Sequence, residues 1–380
     1  MNVFLKKIVM TAGILLFAGM CFAAEPESNG NRWKVIVSIA DQKTYVYDNE
    51  KLVRAAVCST GIEDGDNDTP LGDYILNESG QKRGEFFYSR KVGEGARYWV
   101  GFIGGVYLFH SVPVTEDNVV IPEEAAKLGE PASHGCVRLS MRNAYWFYRT
   151  VPDGASVHIQ KEPYTCSTDK LASPLVSKKQ VTSWLSFHEH EYYQQHLLSC
   201  EAALVRLTLA ITGIRDLDED TILYSFPWGT DPEKSFVCDN VDAGRRNKDG
   251  SIHWNNYGTH PPLVVKTLQS YLHMYGLDAS YEVREMKLSD ADLRNLAANN
   301  ERFLGAVVWL VGHPERWGEH PPVKNGIVLG EHVRFVDPEL DKAGKFMVWD
   351  PEKHPDQPYH LAAIPTRNMF GYRTVALFKR

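Results

Sequence analysis

The sequence predicts two domains in series, the first mostly β and the second α+β. Three observations carry this. The chain has 380 residues, more than one hydrophobic core usually organises. From Trp33 to about Ile159, short alternating apolar–polar runs follow one another with turn residues between them. Beyond Ser199 the order changes, with apolar helical stretches first and strand-like runs after. The expected division is a leader at 1–23, a β domain at 31–161, a linker at 162–186 and an α+β domain at 187–380.

The leader reading rests on charge and length. Lys6 and Lys7 precede an apolar run from Ile8 to about Ala23, shorter than the ~20 residues of a bilayer span. Small residues close it, so cleavage is expected before Ala24; an uncleaved anchor is the alternative. No later run is long and apolar enough to cross a membrane, so work in a periplasm or at a cell wall is expected. The net charge of -7, with no basic block, argues against a nucleic-acid partner. Cleavage would leave Cys58, Cys136, Cys166, Cys200 and Cys238. An odd count in an oxidising compartment leaves a free thiol. If Cys136 and Cys200 both work as thiols, the other three make at most one disulfide.

In the first half, Lys34–Ile39 and Thr44–Tyr47 read as alternating strands, and Asp48-Asn49-Glu50 as a turn into a strand at Leu52–Val57. Thr69-Pro70-Leu71-Gly72 is a turn signal. Further strands are expected at Asp73–Leu76, Arg97–Val100 and Val106–Phe109. Ser140 should cap a helix with Ala144, Phe147, Tyr148 and Val151 near one face. Pro152-Asp153-Gly154 stops it, and Ala155–Ile159 returns as a strand.

The chemistry concentrates in Ser133-His134-Gly135-Cys136-Val137-Arg138-Leu139. A nucleophilic thiol needs a base, since its free pKa lies near 8.5; His110 and His134 are both candidates. Gly135 lets the backbone approach a substrate closely, where N–H groups can meet an oxyanion. Arg138 has a fork suited to a carboxylate. A lone cysteine in a β domain is usually a small buried hydrophobe, but the surrounding residue set argues for chemistry.

Thr69-Pro70-Leu71-Gly72, then His110-Ser111, then the Ser133–Leu139 motif resembles the L,D-transpeptidase catalytic domain of the YkuD family, over about Trp33 to Gln160. The resemblance implies that Cys136 attacks the carbonyl of a diamino acid in a peptidoglycan stem peptide and forms a thioester. An amine from a second stem, or water, would resolve it. It implies His110 as base with the Ser111 backbone orienting it. It also implies that His134 and Gly135 shape the oxyanion pocket, and that Arg138, beside Ser133 at the substrate, holds the carboxylate. The interval from His110 to Ser133 is longer than in the tightest members, so Val119–Glu130 is expected to form part of a lid or rim.

From Lys161 to about His188 the chain is polar with weak periodicity, a linker with one short helix. His188-Glu189-His190-Glu191 with nearby His196 invites a metal reading, but no cysteine or carboxylate set completes the spacing; neither metal nor organic cofactor is expected. Ser199 looks like an N-cap, and Cys200–Ile211 reads as a buried helix ended by Gly213. A thiol on a helix's first turn is favoured as thiolate, although Glu201 would oppose this if it faced the sulfur. Helices are expected at Leu263–Met274 and Ala291–Asn299, and strands at Gly305–Val311, Glu331–Val336 and Lys345–Pro351.

A Cys-topped helix followed by a sheet carrying a histidine resembles the C39-like papain-fold cysteine peptidases, over about Phe187 to Phe378. The resemblance implies Cys200 as nucleophile, His332 as base, Asp350 orienting it and Gln194 as the oxyanion donor. The leading expectation is therefore an exported two-domain cell-wall enzyme. Its rivals are an L,D-carboxypeptidase or a hydrolase releasing wall-linked protein or peptide, and a non-catalytic wall-binding protein.

Overall fold

The computed structural model describes residues 32–380 apart from 79–82, 244–246, 248, 250, 312–321, 325–326, 329, 353–357 and 365–369. The leader expected at 1–23 lies outside them. The first sheet starts as an antiparallel meander of β1 (Trp33–Ser38), β2 (Lys43–Asp48) and β3 (Lys51–Ser59). Asn49 and Glu50 take φ of 46° and 63°, the positive pair that a tight two-residue hairpin uses. Then come β4 (Gly72–Ile75), β5 (Arg83–Ser89), β6 (Glu94–Ile103), β7 (Tyr107–Ser111), the single-turn α1 (Pro122–Ala125), β8 (Val137–Leu139), α2 (Met141–Thr150) and β9 (Ser156–Gln160). Among the described residues these nine strands run β4-β9-β1-β2-β3-β8-β7-β6-β5. Only β1/β9 and β7/β8 pair in parallel.

As expected, Ser140 caps α2, its Oγ accepting the Asn143 N–H at 3.2 Å. Phe147 of α2 stacks on Phe109 of β7 with ring centroids 4.7 Å apart. The strands at Arg83–Ser89 and Val137–Leu139 were not apparent from the sequence: Phe86 of β5 is exposed, and three residues are too short for a period-2 signal.

The second half contributes α3 (Lys178–His188), α4 (Cys200–Ile211), α5 (Glu219–Leu223), α6 (Pro261–Met274), β10 (Tyr281–Lys287), α7 (Asp290–Asn299), β11 (Phe303–Val311), β12 (Val323–Lys324), β13 (Ile327–Val328), β14 (Glu331–Leu340), β15 (Phe346–Trp349), β16 (Tyr359–Leu361) and β17 (Arg373–Lys379). Its antiparallel sheet runs β10-β17-β11-β14-β15-β16. Ser199 occupies the N-cap position of α4 but does not cap it. Its Oγ instead donates to Glu219 Oε1 at 2.6 Å. The segment before α3 is bound along its length: the N–H groups of Cys166, Ala172 and Leu175 donate to the carbonyls of Met274, Gly213 and Ile211.

Packing joins the halves. Val35, Val37, Val46 and Ala56 face a core shared with α2. Ile36, Tyr45, Leu52 and Ala55, on the opposite face of the same strands, pack with buried residues of α4, α5, α6 and β11 in one continuous cluster. Leu293 and Ala297 of α7 cover the far face of the second sheet. Burying Ile36, Tyr45 and Leu52 this way contributes on the order of 5–8 kcal/mol. Arg54 of β3 adds a second tie, its guanidinium 4.2 Å from both the Trp146 and the Tyr224 ring centroids. All five cysteines of the described residues are free thiols.

Candidate active site

The Ser133–Cys136 loop lies between α1 and β8 and is tied down by its own polar atoms. Ser133 Oγ donates to the Cys136 carbonyl at 2.6 Å and accepts the Gly135 N–H at 3.1 Å. Thr69 Oγ1 donates to the Gly135 carbonyl at 3.0 Å and accepts the Gly61 N–H at 2.8 Å. The Thr69 turn thus holds the loop in place. Gly135 has φ +101°, and a Cβ there would lie 2.6 Å from a Tyr107 ring carbon. No other residue fits that position without strain. Its N–H is spent on Ser133.

Register places the reactive groups. In the parallel β7/β8 pair, His110 lies beside Arg138 and Phe109 beside Val137. Cys136 immediately precedes β8, two residues before Arg138. His110 is buried, with the Phe87 ring edge-on at 5.9 Å. Its Nδ1 donates to the Ser111 carbonyl at 2.6 Å. This leaves Nε2 as the acceptor nitrogen. Ser111 is itself held, its Oγ donating to the Val112 carbonyl at 2.7 Å and accepting the Arg97 N–H at 2.9 Å. His134 is exposed. Of the two candidate bases, His110 therefore has the oriented imidazole.

Burial pushes His110 down to about 4, against the Ser111 hydrogen bond, with Arg138 adding to the fall. Burial pushes the half-buried Cys136 thiol up, while the Leu108 amide and Arg138 pull the other way. The Cys136 thiol donates to the Val106 carbonyl at 3.6 Å. Both shifts favour the uncharged forms, thiol at Cys136 and imidazole at His110. Arg138 is buried, with Nη1 donating to Glu124 Oε2 at 2.6 Å and Nη2 to Glu94 Oε2 at 3.4 Å. Neither glutamate was apparent from sequence; Pro122 at the start of α1, followed by two acidic residues, is the helix-start signal that marks Glu124.

Residues 32–159 match the family model described as YkuD, the L,D-transpeptidase catalytic domain. The first sheet is consistent with the L,D-transpeptidase fold. Across 125 residues the chain is 40% identical to the provisionally named L,D-transpeptidase YciB of Bacillus subtilis (strain 168), which covers 32% of this chain and 63% of that protein. The chain thus spans less than two thirds of the curated relative it matches. Among solved structures, a fused Zn-dependent amidase/peptidase/peptidoglycan-binding protein from Clostridium acetobutylicum ATCC 824 is 28% identical, covering 34% of this chain and 52% of its own, with a TM-score of 0.27. An L,D-transpeptidase of Mycobacterium tuberculosis H37Rv is 22% identical over 34% of this chain and 58% of its own, at a TM-score of 0.29. At such scores these likenesses carry no structural argument.

The second residue set is partly assembled. His332 Nε2 and Asp350 Oδ1 are 2.6 Å apart, and Arg334 Nε donates to Asp350 Oδ2 at 2.5 Å. Burial opposes the Asp350 charge, but His332 and Arg334 outweigh it and hold the carboxyl well below the usual range. Cys200 opens α4, which packs on β14, the strand of His332. The Cys200 thiol donates to Glu201 Oε2 at 3.2 Å, so Glu201 does face the sulfur. The other Glu201 oxygen accepts the Thr259 N–H at 3.0 Å, an approach open only because Gly258 has no Cβ. Gln194 Nε2 donates to the His196 and Leu197 carbonyls at 2.9 and 3.3 Å. Both its amide hydrogens are spent, leaving none for an oxyanion. His188 pairs with Glu191, and His196 lies between Asp220 and Asp242 at 2.8 Å each. Among the described residues no cluster has the makings of a metal site, and no helix is long and apolar enough to cross a membrane.

Proposed function

We propose that this chain is an exported L,D-transpeptidase that exchanges or cross-links peptidoglycan stem peptides through a Cys136 thioester. The observation that carries the reading is the His110 imidazole, fixed by the Ser111 carbonyl so that Nε2 is the free base beside the Cys136 loop. His110 Nε2 takes the thiol proton as Cys136 Sγ attacks the carbonyl of the diamino acid. The tetrahedral oxyanion collapses, the C–N bond to the terminal D-residue breaks, and the leaving amine takes the proton back from His110. The amine of a second stem then attacks the thioester, forming a new amide and restoring the thiol. Loop N–H groups other than the committed Gly135 serve the oxyanion. An exported leader at 1–23 and work in the periplasm or cell wall belong to the same proposal.

The test is incubation of the mature protein with tetrapeptide muropeptides, with products read by mass spectrometry. Cross-linked dimers or exchanged D-amino acids are expected from wild type and from Cys200→Ala, and none from Cys136→Ala. Shortened stems without exchange would make water the acceptor and the protein an L,D-carboxypeptidase. Product from Cys136→Ala would overturn the proposal, and binding with no product at all would leave a wall-binding protein.

For the second half we propose a C39-like, papain-fold cysteine peptidase arrangement, with Cys200 as nucleophile and His332 and Asp350 as its imidazole–carboxylate pair. The paired His332 and Asp350 and the thiol at the first turn of α4 support it. Glu201 on the thiol and the committed Gln194 amide weigh against turnover in this conformation.

A further inference from the structure

Both terminal nitrogens of Arg138 are engaged, while its buried Nε has no hydrogen-bond partner. Glu124 Oε2 accepts from Nη1 at 2.6 Å, and Glu94 Oε2 lies 3.4 Å from Nη2. Glu124 comes from α1, within the long interval between β7 and the Cys136 loop, and its other oxygen takes Lys127 Nζ. That interval is a fixed rim. The Gly129 N–H donates to the Cys58 carbonyl at 3.2 Å, the Ile121 N–H to the Pro113 carbonyl at 3.0 Å, and Ser59 Oγ to the Lys127 carbonyl at 3.0 Å. The Lys127 and Arg138 contacts outweigh burial and hold the Glu124 carboxyl below the usual range, so it is charged at neutral pH.

Resting on the reading of Cys136 as acyl carrier, we propose that Glu124 is a specificity-determining stand-in for the donor's terminal carboxylate. It holds the Arg138 fork in the free enzyme and yields that fork when an anionic donor docks. One guanidinium edge serves one carboxylate well, so donor and Glu124 compete for Nη1. A donor with a neutral C-terminus has no charge with which to displace Glu124, and is turned away. Donor affinity falls by the fraction of enzyme in which the fork is closed, which sets a higher KM in exchange for that selectivity.

The experiment compares Glu124→Gln, Glu124→Asp and the control Glu123→Gln, an exposed neighbour on the same turn. Tetrapeptide donor kinetics are read by mass spectrometry. Donor binding is read by calorimetry in a Cys136→Ala background, and melting curves report folding. Glu124→Gln is expected to lower the donor KM about fivefold or more with kcat within about twofold, and to tighten binding to the same degree. Glu124→Asp, shorter by one methylene, is expected to fall between, and Glu123→Gln to match wild type. An unchanged or raised KM in a folded Glu124→Gln protein overturns the proposal, as does unchanged binding in the Cys136→Ala background. If wild type forms no acyl-enzyme, the transpeptidase reading fails, and the binding comparison still decides whether Glu124 competes for the anion site.

Discussion

The sharpest prediction concerns the resting protonation of the Cys136–His110 pair. The histidine drops from its ordinary 6.5 to about 4, a bias of about 3 kcal/mol toward neutral imidazole. At pH 7 about one molecule in a thousand then carries the imidazolium. With Cys136 pushed up as well, the thiolate is a minor species at pH 7. The ultraviolet thiolate band of the free enzyme at pH 7 should therefore match that of Cys136→Ala.

Linkage gives an independent readout. The folded state resists protonating His110, so between pH 6.5 and 4 the unfolded chain binds more protons and stability falls as pH falls. From pH 7 to pH 5 the loss assigned to His110 is about 2 kcal/mol. Urea unfolding should show wild type losing about that much more than His110→Gln over the interval. A thiolate band in resting wild type, or equal losses in the two proteins, would refute the neutral-pair reasoning.

Two further outcomes follow from contacts away from Cys136. Glu201→Gln removes the carboxylate from the Cys200 thiol; the rate of Cys200 alkylation at pH 8, read by peptide mass spectrometry, should rise severalfold, and no change would mean that Glu201 does not govern the sulfur. Arg54→Ala removes the guanidinium between Trp146 and Tyr224 and should cost about 2–4 kcal/mol in urea unfolding; a loss under about 1 kcal/mol would show that the two rings pack as well without it.

What the sequence made legible is uneven for physical reasons. The Ser133–Leu139 motif is contiguous, so its residues could be found, and Ser140 as cap of α2 followed from local chemistry. Partners brought in from elsewhere were hidden. Glu124 and Glu94 reach Arg138 across 14 and 44 residues, and nothing local marks either as its partner. β10 reads Tyr-Glu-Val-Arg-Glu-Met-Lys, with Arg284 and Glu285 both exposed, so no clean alternation announces an edge strand. Ser199 was a plausible cap by type, but buried Glu219 claims its hydroxyl, a tertiary contact that overrides the local preference.

The same limit explains the middle of β1. Lys34–Ile39 was read as alternating, yet Val35, Ile36 and Val37 form an unbroken apolar triplet in which all three are buried. Alternation describes a strand with one wet face; a continuous run describes one covered on both. Val35 and Val37 face the core with α2, and Ile36 faces the helices of the second half. β3, with Leu52 and Ala55 under those helices, pairs through Cys58 and Ser59 with Leu139 and Arg138 of β8. The strand that carries Arg138 is therefore braced from behind by a sheet whose other side the second half covers. That gives residues 187–380 a structural part in the Cys136 site whether or not Cys200 turns over a substrate of its own.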